Sequence, residues 1–116
     1  MTPGFKRSLK VNLHRPLEFN GRFAPGNPPT LVKGKNVSLV RNGVGDYSIF
    51  LDQVAGAIQS VQCSAQSPAG GLIVNYNAVD NQEIEFFLTD AAGVLTDGAS
   101  SEISYSILAT ESNNQQ

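Results

Sequence analysis

Apolar and polar residues alternate with a period of two through most of the chain after residue 36. Clusters of Gly, Asn, Asp and Pro separate the alternating runs, and this arrangement is typical of half-buried β-strands joined by turns. The pattern predicts six strands, at residues 37–41, 47–51, 58–65, 72–77, 82–89 and 103–109. Their spacing favours an all-β fold, a compact antiparallel β-sandwich or barrel of about six strands.

The alternation also predicts which side chains point inward. Tyr47, Tyr76 and Tyr105 fall on inward faces, where core residues with the hydroxyl at the rim are a better interpretation than a ligand box. Cys63, the sole cysteine, falls on an inward face and is interpreted as a small buried hydrophobe. Between the first two strands, the segment 42–46 (Asn-Gly-Val-Gly-Asp) predicts a hairpin turn with glycines suited to positive φ.

The first 34 residues differ from the rest and predict an extended arm. Phe5 and Leu9 share one face with Arg7, and the alternation continues after Pro16. Such a segment can add as a strand to an exposed edge of its own sheet or of a neighbour's. The proline-rich stretch 24–29 predicts a stiff linker that holds the arm away from the body. We therefore expect an arm with its linker at 1–34, a body at 35–110 and a polar tail at 111–116.

Charge divides the chain more sharply than composition does. All eight basic side chains lie in the first 41 residues, which hold one acid, Glu18, and carry a net charge of +7. From Asn42 onward nine acids and no Lys or Arg give −9, so that the whole chain sums to −2. This asymmetry predicts a basic arm joined to an acidic body, and the arm is the predicted partner-binding element. Its candidate residues are Phe5, Lys6, Arg7, Leu9, Lys10, Val11, Leu13, Arg15, Leu17, Phe19, Arg22 and Phe23.

Candidate chemistry changes this interpretation little. No nucleotide-binding, hydrolase or metalloprotease motif is present, and a single histidine, His14, offers no base near Cys63. Asp80, Glu83 and Glu85 lie close together but lack the ligand-and-Gly pattern of a calcium loop, so we interpret them as a solvated strand face. We predict that the chain is not an enzyme and has no catalytic site, metal or cofactor.

Two other partners are weaker alternatives. The basic arm could neutralise phosphates of a nucleic acid, but the acidic body would repel a polyanion. The arm has strand period and not helix period, which disfavours a membrane surface, and no apolar run is long enough to span one. The N-terminus is too charged for the apolar core of a signal peptide, so we expect folding in a cytoplasm.

The predicted body resembles the small β-sandwich structural proteins of tailed bacteriophages. The resemblance rests on the segment 37–52 (Val-Ser-Leu-Val-Arg-Asn-Gly-Val-Gly-Asp-Tyr-Ser-Ile-Phe-Leu-Asp), where an Arg and a Gly-x-Gly turn lead into a strand ending in Leu-Asp. Segments 86–93 followed by 95–97, and the closing 104–108, have the same style, whereas nothing in 1–34 matches it.

The resemblance implies a virion protein that decorates or cements the capsid shell. Its implied partner is the major capsid protein, and it would bridge neighbouring capsid subunits through its arm and its body. A homo-oligomer is expected, with a trimer as the natural guess because shells offer three-fold positions. The chain would be made in the host cytoplasm and end on the capsid surface. Alternatives are a head-fibre, tail or adaptor protein, and a module that binds sugar or a host surface.

Overall fold

The protein is an antiparallel β-sandwich of two four-stranded sheets. The structure is a computed structural model, and it describes residues 16–68, 70–98 and 100–111. Its strands are β1 (Pro16–Ala24), β2 (Thr30–Lys33), β3 (Val37–Gly43), β4 (Asp46–Leu51), β5 (Ala57–Gln66), β6 (Ile73–Ala78), β7 (Glu83–Thr89) and β8 (Glu102–Thr110). The predicted fold class is confirmed.

The strand order places the first and last described strands at the centre of one sheet. Sheet A has the order β2-β1-β8-β5, and sheet B has the order β3-β4-β7-β6. In sheet A, β1 pairs with β8 from Pro16↔Thr110 to Phe23↔Ile103. β5 pairs with the other side of β8, so β5 and β2 are the edges of sheet A. β3 and β6 are the edges of sheet B.

The core forms where the inward faces of the two sheets meet. Phe23 of β1 lies between Tyr47 and Phe86 of sheet B, with ring centroids 5.7 and 5.9 Å away. Phe86 also contacts Tyr105 of β8 at 6.3 Å. Tilted pairs at these distances are favourable beyond the area that they bury. The alternating aliphatic residues of β4, β7 and β8 complete the core: Ile49, Leu51, Ile84, Leu88, Ile103 and Ile107.

The predicted boundary between arm and body is wrong. Residues from Pro16 onward are not an arm, because β1 and β2 belong to sheet A. The sandwich therefore has eight strands where the pattern predicted about six. The stretch 25–29 is the turn between β1 and β2, not a linker that holds an arm away from the body. Residues 1–15 and 112–116 lie outside the described residues.

Two finer predictions also need correction. Tyr47 and Tyr105 are buried as predicted, but Tyr76 is 47% exposed. Tyr76 lies on an edge strand, and the period of a strand gives the face of a residue but not whether the opposite sheet covers it. In the β3–β4 turn, the positive φ of 68° falls at Gly45 and not at Gly43.

Candidate functional site

A basic side forms where the N-terminal segment joins the sandwich. We use this name for Lys33 and Lys35, which lie beside β1. Lys33 and Lys35 are exposed, and neither takes part in the two ion pairs found among the described residues. They line an open groove of about 360 Å³ whose opposite wall is Glu18–Asn20 of β1. The two lysines therefore lie beside the start of β1, the strand that segment 1–15 precedes in the chain.

The other described basic residues are already paired within the chain. Arg22 Nε lies 3.2 Å from a carboxylate oxygen of Glu102 on the neighbouring strand β8. Arg41 Nη2 lies 2.9 Å from Asp97 Oδ2. Both cations already have an acidic partner within the body, so Lys33 and Lys35 are the described cations best placed to meet a partner.

Asp97 joins three elements at the end of the sandwich opposite Pro16. Its carboxylate accepts from Arg41, from the Gly45 backbone N–H at 2.9 Å and from the Tyr47 hydroxyl at 2.7 Å. Tyr47 Oη in turn accepts from the Gly26 N–H at 2.8 Å. The contacts with Arg41, then Gly45 and Tyr47, lower the pKa of Asp97 to about 2. The cluster ties the β1–β2 turn, the β3–β4 hairpin and the segment before β8 together, which is a structural role.

The outward face of sheet B carries an acidic strip, defined as Asp46, Glu83 and Glu85. Glu83 and Glu85 flank the buried Ile84 and therefore share a face, as predicted. Ser48, which is fully buried beneath them, donates to Glu83 Oε2 at 2.7 Å and accepts from Asn42 Nδ2 at 2.9 Å. The strip is thus a hydrogen-bonded network and more ordered than a freely solvated face. Asp80 is separate from it, because its carboxylate caps the β6–β7 turn by accepting from the N–H groups of Gln82 and Glu83.

Glu85 should make the protein less stable as the pH rises from about 4.5 to 7. Its hydrogen bond with Asp46, together with partial burial and nearby negative charge, raises the pKa of Glu85 to about 7. A carboxyl whose pKa is higher in the folded state binds its proton more tightly there, so its contribution to stability is lost between about pH 4.5 and 7. We expect Glu85→Gln to reduce the fall in Tm between pH 5 and pH 8. The exposed Glu18→Gln on sheet A is the control, and an equal fall in Tm for both variants would contradict the assignment.

The side of the sandwich formed by β5 and β6 carries no charge. Residues 53–79, which include both strands, contain no Asp, Glu, Lys or Arg. We call this the uncharged side. Exposed apolar side chains lie along it at Ile73, Tyr76 and Val79, each exposed by 45 to 47%. Edge strands in soluble proteins are usually short or carry charges that discourage pairing with another chain, so this side is an unusual edge.

The structure divides the predicted partner-binding residues into three groups. Phe19 and Phe23 are buried in the core, and Leu17 packs against it, so assigning these three to a partner-binding arm is wrong. Arg22 is on the surface but is paired with Glu102. The other predicted residues, and His14, lie outside the described residues: Phe5, Lys6, Arg7, Leu9, Lys10, Val11, Leu13 and Arg15.

Cys63 lies on the inward face of β5 and packs against the core as predicted, but it is only partly buried. Burial raises the pKa of its thiol. Among the described residues, no three His, Cys, Asp or Glu side chains are placed to hold a metal ion. The described part of the chain also contains no helix long and apolar enough to cross a membrane.

Sequence reasoning missed two features of these surfaces. The uncharged side was detectable as a gap between Asp52 and Asp80, but its meaning depends on both strands being edges. Asp97 gave no local signal, because its partner Arg41 lies 56 residues away along the chain.

Comparisons of the chain with protein-family models, with curated proteins and with solved structures found no match.

Proposed function

We propose that the chain is a structural protein of a virion that decorates or cements the capsid shell and bridges neighbouring capsid subunits. The observation that carries this proposal is the direct continuity between the basic N-terminal segment and a central core strand. Pro16 is already paired with Thr110, so no linker intervenes between residue 15 and the sandwich. A partner that holds segment 1–15 would thereby be attached to a rigid body.

The partner that suits the basic side is an acidic protein surface. Segment 1–15 contributes four Lys and Arg residues and no acid, and Lys33 and Lys35 extend the positive charge onto the body. Opposite charges on two partners speed their encounter and fix their orientation more than they add affinity. The resemblance of the β body to phage structural proteins makes the major capsid protein the proposed partner. The capsid surface is the proposed location.

Co-sedimentation with purified phage heads built from that capsid protein tests the proposal. We expect the full chain to bind heads saturably and to be released as salt rises, because exposed charges are screened. Lys33→Gln/Lys35→Gln should bind roughly threefold to tenfold more weakly, as each exposed charge pair contributes at most about 1 kcal/mol. The matched control is Val44→Glu/Val94→Glu, which changes the net charge equally at exposed positions outside both the basic side and the uncharged side.

The outcomes separate the function from the surface that performs it. Absence of binding at low salt would contradict the proposed function. Equal weakening in the lysine variant and its control would still support binding to heads, but it would contradict the proposed role of the basic side in that binding. A parallel titration with duplex DNA distinguishes the alternative partner, because tighter binding to DNA than to heads would favour a nucleic-acid-binding protein.

A further inference from the structure

We infer that the β5 edge is the contact between two copies of this chain. In this arrangement β5 of one copy pairs antiparallel with β5 of the other, and the two A sheets join into one continuous sheet across a two-fold axis. The inference goes beyond the proposed function and does not depend on it, because the contact forms in the absence of any shell.

The two long sides of the sandwich differ in how their edges are protected. On one side, β2 is only four residues long and ends in Lys33, and β3 contains Arg41. Short length and basic side chains are common means of preventing edge-to-edge pairing. On the other side, β5 runs for ten residues without a charge or a proline. Among the described strands, one side is therefore protected and the other is open to a further strand.

Charge selects a second copy as the occupant of this edge. Residues 42–116 carry nine acids and no Lys or Arg, so two copies repel each other over most of the body. The uncharged side is where they can approach without like-charge repulsion. The basic segment 1–15 is a poorer occupant, because it would meet no acidic residue on β5 or β6. Its electrostatic attraction to the acidic strip is stronger.

The regular part of β5 determines the register. A bulge between Ile58 and Ser60 interrupts the pairing of β5 with β8, and the strand is regular from Ser60 to Gln66. Two-fold pairing that uses all of this stretch is centred on Cys63. Gln62 then faces Ser64 of the second copy on the outward face, and both positions are exposed and uncharged. Cross-strand hydrogen bonds between such side chains support an antiparallel pair.

The expected assembly is a closed dimer. A two-fold contact uses the same surface on both copies, so no further copy can add through it. This differs from the trimer that shell symmetry suggested from the sequence. Because β1 and β5 are both antiparallel to β8, they run in the same direction, and the two Pro16 residues of the dimer lie at opposite ends.

Charged variants at the facing positions test the contact. In sedimentation equilibrium without heads, we expect the wild type to dimerise and Gln62→Lys/Ser64→Lys and Gln62→Asp/Ser64→Asp each to dimerise about tenfold more weakly or worse. An equimolar mixture of the two variants should recover the dimer as a heterodimer, because the facing charges are then opposite. Ser38→Asp on the opposite edge strand β3 is the control and should dimerise like the wild type.

Cysteine cross-linking tests the register in the unaltered chain. Cα atoms of directly opposed residues in an antiparallel pair are about 4.5 to 5.5 Å apart, which suits a disulfide. Since Cys63 is the only cysteine, any disulfide joins two chains. Mild oxidation with copper phenanthroline should therefore cross-link the folded wild type faster than the urea-unfolded chain.

Three results would overturn the inference. One is a wild type that stays monomeric at 100 µM. Another is a dimer that both charged variants retain. The third is a dimer that is lost only when Lys6 and Lys10 are changed to Glu, which would identify segment 1–15 as the contact. None of these results decides whether the chain binds heads, because heads are absent from the experiment.

Discussion

Replacing Asp97 with alanine will lower the free energy of unfolding by about 2 to 3 kcal/mol. The substitution removes the acceptor for the Tyr47 hydroxyl and for the Gly45 N–H, which are 2.7 and 2.9 Å from the carboxylate. Tyr47 is fully buried, so its hydroxyl must exchange the 2.7 Å contact with Asp97 for the longer one with the Gly26 carbonyl at 3.2 Å. Urea denaturation of the two proteins measures the difference.

Two comparisons show whether the loss comes from this cluster. Asp52→Ala removes an exposed carboxylate and should change stability little. Combining Asp97→Ala with Arg41→Ala should cost less than the sum of the single changes, because the two side chains share one interaction. If the stability losses of the two single variants add up exactly to that of the double variant, Asp97 and Arg41 are not coupled.

The same carboxylate predicts a fall in stability at low pH. Its pKa is lowered from 3.8 to about 2 in the folded protein, so its contribution is complete above about pH 4 and is lost as the pH falls through about 2. Asp97→Ala should therefore lose less stability than the wild type between pH 4 and pH 2. An equal loss of unfolding free energy in the wild type and in Asp97→Ala over this pH range would contradict the prediction.

Replacing Gly21 with alanine will destabilise the protein by about 3 kcal/mol or more. A Cβ at this position would overlap the Lys33 carbonyl oxygen and lie 2.5 Å from Tyr105 Oη. Tyr105 lies directly opposite Gly21 in the β1–β8 pair, and its ring fills the space that a side chain would need. The carbonyl belongs to the neighbouring strand β2, so relief requires the two strands to separate.

Gly43→Ala is the matched control, because a Cβ there meets no atom within 4 Å and the φ of Gly43 is not positive.

Tyr105→Phe shows how much of the effect comes from the Tyr105 hydroxyl and how much from the Lys33 carbonyl. The Tyr105 hydroxyl is buried without a hydrogen-bond partner among the described residues, so its removal should cost little. The double variant Gly21→Ala/Tyr105→Phe should stay destabilised, since the Lys33 carbonyl remains. Full recovery of stability would show that only the hydroxyl opposes a side chain.

Periodicity predicted the fold class and most strands, because each strand of a sandwich buries one face. It also identified Ile49, Phe86 and Ile107 as inward residues, and all three are fully buried. The prediction failed for Phe19 and Phe23, whose alternation is equally clear. Charge and the prolines nearby suggested a separate arm, yet pairing with β8 depends on contacts at least 80 residues away along the chain. No local pattern reports such a partner.

The candidate surfaces were predictable to different extents. The basic character of the N-terminal segment is visible in the sequence, but the separation of Lys33 and Lys35 from the paired Arg22 and Arg41 required three-dimensional contacts. The uncharged stretch could be read directly from the sequence. Its position on two neighbouring edges could not, because sheet order depends on which strands meet across long loops.

The pairing of β1 with β8 has a mechanical consequence. A force applied to Pro16 along the axis of β1 loads the hydrogen bonds of all eight registered pairs at once, as shear. A force that draws Pro16 away from Thr110 loads those bonds one after another, as in opening a zipper. The sandwich should therefore resist a pull through its N-terminal segment far better along the strand than across it. Single-molecule stretching from the N-terminus would measure the unfolding force in the two directions. A second attachment at Gln66, at the far end of the sheet, loads the strand along its axis, and one at Glu111, beside Pro16, loads it across.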